Sequence, residues 1–193
     1  MKKRSSAVQR VILEIALTLV IVASVTAAES QSPYTAIQGR DIKALSLEQI
    51  EGYEAGQGMS LALAAELNGY PGPKHVLELQ AELDLTQAQL QDTEAIFNEM
   101  QQSASDLGHQ IVDGEHELDR LFASHTIDAE SLAAHIGQIA QLQGRLRTVH
   151  LQAHLEMMEV LSQNQISRYI ELRGYHGDGH QGHHPGRSHD QQD

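Results

Sequence analysis

The chain has 193 residues with 13 basic and 26 acidic groups, a formal charge of −13 with histidine neutral, no cysteine and no tryptophan. A surface of that sign cannot release counterions from phosphates, so nucleic acid is not an expected partner. The missing thiols exclude disulfides, thiol nucleophiles and thiolate metal sites, and with only two Phe the core must be aliphatic, which suits helices packed lengthwise.

Lys2, Lys3, Arg4 and Arg10 precede an apolar run from Ile15 to Val25, followed by the small residues Thr26, Ala27 and Ala28. That order is the order of a secretory signal peptide. The apolar core is short for a bilayer span, which takes about 20 residues, and Glu14 interrupts its early side. Cleavage after Ala27 or Ala28 is expected, with an uncleaved inner-membrane anchor as the rival. Either way the remainder faces a periplasmic compartment. Removing residues 1–28 takes away four basic groups and Glu14, which moves the formal charge from −13 to −16.

Residues 29–43 are polar, contain Pro33 and Gly39, and read as a flexible lead-in. Ser46 to Gln49 is a capping box: the hydroxyl accepts a first-turn N–H while the Gln three residues on reaches back to the cap N–H. It opens a short helix that Gly52, Gly56 and Gly58 weaken. A second piece, Ser60 to Asn68, stops at Gly69-Tyr-Pro-Gly-Pro73, and a helix restarts over His75 to Leu83. The most informative feature follows: Leu85-Thr86-Gln87-Ala88-Gln89, which recurs as Leu161-Ser162-Gln163-Asn164-Gln165. Each is a capping box behind a leucine.

From the first box, Leu90, Phe97, Ala104, Ile111 and Leu118 recur at seven-residue spacing, with Thr93, Met100, Leu107, Gly114 and Leu121 three positions behind. Such a narrow stripe seeks a partner helix. Ser124 to Asp128 is the turn, with Asp128 as cap, and the returning helix carries Leu132, Ile139, Leu142, Leu146, Val149, Ala153 and Val160. The fold class is therefore all-α: a long antiparallel helical hairpin with short flanking helices. Each arm of roughly 35 residues is about 50 Å long at 1.5 Å per residue, too extended to cover its own apolar surface. A homodimer is expected, with Leu107 at the centre of its seam. Leu151, Leu155 and Met158 add a second apolar line that faces either another subunit or the helices before Pro71. Gly108, Gly114, Gly137 and Gly144 permit close contact or bending inside the arms. From Gly174 the helix ends in a Gly- and His-rich tail with almost nothing to bury, expected to be disordered without a ligand.

Two LTxxQ-type boxes around a helical hairpin behind a signal peptide resemble the periplasmic LTxxQ family, which holds Spy/CpxP-type refolding chaperones, zinc-resistance-associated proteins and heavy-metal resistance sensors. The resemblance covers residues 44–173. Ala64-Ala-Glu-Leu-Asn-Gly-Tyr-Pro-Gly-Pro-Lys-His-Val-Leu-Glu-Leu79 is similar to a signature of periplasmic heavy-metal sensors. It implies an all-α homodimer of intertwined hairpins and leaves the activity open, because the family holds both chaperones and metal binders. In one respect the chain departs: chaperone members present a basic concave surface, whereas this chain is acidic.

Possible metal ligands fall in two regions. The tail places His176, Asp178, His180, His183, His184 and His189 close together, and imidazoles of this kind take Zn, Ni, Co or Cu ions. A solubilising tail that happens to be rich in histidine accounts for the same composition. On the returning helix His150, His154 and Met158 recur at four-residue steps and share a face. Metal sensors of the family are similar in using a His-x-x-x-Met pair, which here falls on His154 and Met158, with Glu66 and His75 as candidates for the further N-terminal ligands. Solvent-facing histidines beside a core methionine are the competing reading. His109, Asp113 and His116 form a third face that exposed charge on a solvated helix explains.

No G-x-S-x-G, H-E-x-x-H or phosphate-cradling glycine loop is present, so an enzyme is not expected. The sequence reads as a periplasmic divalent-metal-binding protein acting in metal sensing, metal resistance or envelope stress, with a membrane-bound regulator as a candidate partner. An ATP-independent chaperone for unfolded envelope proteins is the alternative. The tail should hold several ions loosely, because ordering it costs about 1 to 2 kcal/mol per residue. The helical site should hold fewer ions more tightly.

Overall fold

The computed structural model describes residues 32–175, which fall into two units. In the first, which ends at Arg40, the described element is a 3-10 turn over Thr35–Ile37. The expected signal segment and the tail from His176 onward lie outside the described residues.

The second unit, from Asp41, is all-helical among the described residues: α1 (Leu47–Glu54), α2 (Leu63–Glu66), α3 (Pro73–Glu78), α4 (Gln87–Ala123), α5 (Ala129–Val160) and α6 (Gln163–Leu172). Four of the starts are reciprocal capping boxes. Ser46, Thr86, Asp128 and Ser162 each accept from the backbone N–H three residues on, and Gln49, Gln89, Ser131 and Gln165 reach back to the cap N–H. Both flanking helices are shorter than their sequence suggests. Met59 and Ser60 sit at positive φ, so α2 begins only at Leu63, and after Glu78 the chain leaves α3 through turns to Asp84 at φ +48°. No described helix is long and apolar enough to cross a membrane.

The two long boxes also bind each other. Gln89 Nε2 donates to Gln165 Oε1 at 2.9 Å and Gln165 Nε2 donates to Gln89 Oε1 at 3.0 Å. Each second amide hydrogen goes to a backbone carbonyl, Val160 O for Gln89 and Leu83 O for Gln165. Since each Oε1 also accepts its own cap N–H, both amides are satisfied on donor and acceptor sides. The start of α4, the end of α5 and the start of α6 are thereby locked together.

α4 and α5 pack against each other as the arms of the hairpin. Ala104, Leu107 and Ile111 meet Leu142 and Leu146 in one buried cluster, while Val76, Leu83, Met157, Leu161, Ile166 and Tyr169 form a second where α3, α5 and α6 converge. The seven-residue stripe is thus buried at its middle, and Leu90, Phe97, Leu118 and Leu132 toward the ends are half-buried. Leu107 corrects an expectation. It is 5% exposed within a single chain, so it belongs to the core of the hairpin and is no marker of a seam between subunits.

α1 lies along α4, and Ser105 Oγ donates to Glu54 O at 2.6 Å. A side chain at Gly108 would collide with the Tyr53 carbonyl, so this glycine lets the end of α1 reach α4. Gly137 has nothing within 4 Å. Gly108→Ala should accordingly lose about 1 to 3 kcal/mol of stability by overpacking. Gly137→Ala should gain about 0.5 to 1 kcal/mol from helix propensity. Urea unfolding of the two variants checks both signs.

Candidate metal centre

The site begins with a buried carboxylate. Glu66 closes α2, is 6% exposed, and receives three hydrogen bonds on one oxygen. Tyr169 Oη donates to Oε1 at 2.7 Å, Tyr175 Oη at 2.9 Å and Arg173 Nε at 3.1 Å. Burial and the bond to Glu66 push the Tyr169 hydroxyl well above its ordinary range, so it stays a donor. The Gly72 N–H in turn donates to Tyr169 Oη at 3.3 Å. Glu66 Oε2, by contrast, is buried without a hydrogen-bond partner. An unsatisfied buried carboxylate oxygen costs several kcal/mol unless something occupies it.

His154 on α5 faces that oxygen. Its Nδ1 lies 2.8 Å from Tyr70 O and 3.9 Å from Glu66 Oε2. A carbonyl only accepts, so Nδ1 carries the proton and the neutral ring keeps its lone pair on Nε2. A backbone carbonyl holding one imidazole nitrogen so that the other can ligate is the usual support of a metal-binding histidine. A methyl group on Gly72 would stand 3.2 Å from His154 Nε2 and 3.4 Å from Glu66 Oε2. The glycine therefore leaves open the point toward which a nitrogen lone pair and a free carboxylate oxygen both face.

His150 and Met158, one turn to either side, are placed differently. His150 is 3% exposed, beside the Gly58 backbone, and its Nε2 has no partner. Burial pushes its imidazole below the ordinary value, and the nearby His154 adds to the shift. Met158 is half-buried and packs against the cluster of Val76, Met157 and Tyr169. His75, the other N-terminal candidate, turns away and bonds Glu78 Oε2 at 2.8 Å. Its partner carboxylate is held below the ordinary range by that bond. His109, Asp113 and His116 are exposed, as a solvated face requires. His176, Asp178, His180, His183, His184 and His189 lie outside the described residues.

Glu66 and His154 thus form a two-ligand pair, and among the described residues no group of three His, Asp or Glu side chains is close enough to hold a metal ion. A groove of about 820 Å³ between α4 and α5, lined by Ser103, Asp106, Gln110 and Arg145 among others, contains no imidazole and offers no rival centre. What sequence reasoning missed is the set of groups on Glu66 Oε1. Tyr169, Arg173 and Tyr175 sit 103 to 109 positions away, and no local motif marks them.

A protein-family model described as heavy-metal resistance matches residues 58–168, from the loop before α2 into α6. No curated protein and no solved structure matches the chain.

His150 generates a prediction of its own. Its proton is bound less tightly in the folded state than in the unfolded chain. Its contribution to stability is therefore complete above the unfolded value near 6.5 and is lost as pH falls from there through the folded value. His150→Leu should stay within about 1.5 kcal/mol of the parent at pH 7.5 and lose less stability on moving to pH 5. Urea midpoints at the two pH values measure the difference, and equal losses in parent and variant would refute it.

Proposed function

The chain belongs to the heavy-metal resistance family, and from that premise we propose that it captures divalent transition-metal ions outside the cytoplasm through a centre built on Glu66 and His154. One observation carries the reading: two buried ligand atoms on different helices, Glu66 Oε2 and His154 Nε2, both face the space left by Gly72. A carboxylate oxygen and an imidazole nitrogen suit Zn, Ni or Co, and the thioether of Met158 one turn on would add preference for softer ions. The signal-like N-terminus supports a periplasmic location, and the tail histidines support a role in buffering or sensing metal in the envelope.

Association follows the exposed apolar side chains. Leu63, Leu67 and Tyr70 on and after α2 and Leu155 on α5 are 37–59% exposed, and α2 and α5 are in contact. A homodimer that covers them would place its seam next to the metal pair. Leu155→Asp should therefore yield a monomer by light scattering with its helix content intact. A dimeric variant would move the seam elsewhere.

Calorimetry with Zn²⁺, Ni²⁺ and Co²⁺ tests the centre. Gly72→Ala should lower affinity at the tightest site at least about 10-fold by filling the space between the ligand atoms, and His154→Ala should do so too. His75→Ala should leave it unchanged. Uptake should weaken below about pH 6, where protons compete for imidazole nitrogen. Metal-independent protection of unfolded clients, with no tight uptake, would favour the chaperone reading instead.

A further inference from the structure

The pair Glu66 and His154 is one or two ligands short of a metal centre, since zinc takes three or four protein ligands. Nothing described near it supplies the rest. His75 is turned onto Glu78, and His150 lies against the Gly58 backbone. The deficit has to be met from elsewhere.

The chain itself is led back to the site. Gly174 at φ +71° ends α6, and the Gly174 N–H donates to Glu171 O while the Tyr175 N–H donates to Ile170 O, each at 3.0 Å. This paired capping pattern reverses the chain at the helix end. Tyr175 Oη then donates to Glu66 Oε1, and Arg173 binds the same oxygen while its guanidinium stands 5.6 Å over the Tyr175 ring. The last described residue is thus fastened to the carboxylate whose other oxygen lacks a partner. The sequence continues His176-Gly-Asp178-Gly-His180. Five residues reach at most about 17 Å, more than a return to the far side of Glu66 demands, and the two glycines allow the reversal.

We propose that this first stretch of the tail, through His176 and His180, folds over the Glu66–His154 pair and completes its coordination of a divalent metal ion. The proposal rests on the metal-binding reading of that pair. It divides the tail in two. The near histidines act as ligands of the tight site, brought there at the high effective concentration that a short tether provides. His183, His184 and His189 remain free to hold further ions loosely. Loading the site also orders the root of the tail, so that tail position reports occupancy.

The test uses the mature chain with Co²⁺ as probe, followed by its visible absorption and by competition titration. The double variant His176→Ala/His180→Ala should lower affinity at the tight site at least 10-fold and alter the Co²⁺ spectrum. The triple variant His183→Ala/His184→Ala/His189→Ala should reduce only the number of weakly held ions. Glu66→Gln should remove the tight site, with a thermal melt to confirm that it folds. If Glu66→Gln loses the site while the double variant keeps both affinity and spectrum, the tail does not close the centre and the proposal falls. If the double variant abolishes uptake while Glu66→Gln leaves affinity unchanged, the metal belongs to the tail alone, and the reading of the Glu66–His154 pair falls with it.

Discussion

The reciprocal amide pair between Gln89 and Gln165 is the interaction on which the remaining architecture depends. Each glutamine closes its own capping box, binds the other, and donates to a backbone carbonyl of a third segment. The start of α6 is therefore fixed relative to the start of α4. From that fixed start α6 carries Tyr169 and Arg173 to Glu66. An amide pair with no unmet donor or acceptor contributes more than its modest net energy, because shifting either helix would leave several partly buried polar groups unpaired at once.

Downstream of that lock, Glu66 shows an uneven distribution of partners. Three donors, one of them a guanidinium, gather on Oε1, and none reaches Oε2. Solvation alone would spread donors over both oxygens. The arrangement instead anchors the carboxylate from behind and leaves its front free, as the Tyr70 carbonyl anchors His154 by Nδ1 and leaves Nε2 free. Both side chains are positioned by groups that do not themselves face Gly72. A pair held in this way keeps its geometry with or without an ion, which lowers the ordering cost of binding.

The fold was legible where the rules are local. Capping boxes at Ser46, Thr86, Asp128 and Ser162 lie within four residues, and the structure places a helix start at each. The apolar stripe of α4 and α5 was legible too, because heptad spacing reflects one helix face. What local rules could not show was how far one chain covers that face. Leu107 is enclosed by α5 and the segments beside α1, and the unpaired apolar surface lies instead at Leu63, Leu67, Tyr70 and Leu155. The site divides the same way. His154 was marked by its spacing and Glu66 was a candidate without a pattern. Gly72 was read only as part of a helix break, although its missing side chain is what opens the space between the ligand atoms.

The acidity of the chain fits this division between a rigid pair and a tail rich in histidine. A negative surface raises the local concentration of divalent cations without choosing among them. Choice comes from geometry at the fixed pair, and the number of ions held comes from the composition of the tail. Full preorganisation would hold an ion too firmly to follow changes in its supply. Two ligand atoms set in place, with the remainder to be recruited, make affinity depend on the recruited part, and a protein that must both take up and release metal needs that dependence.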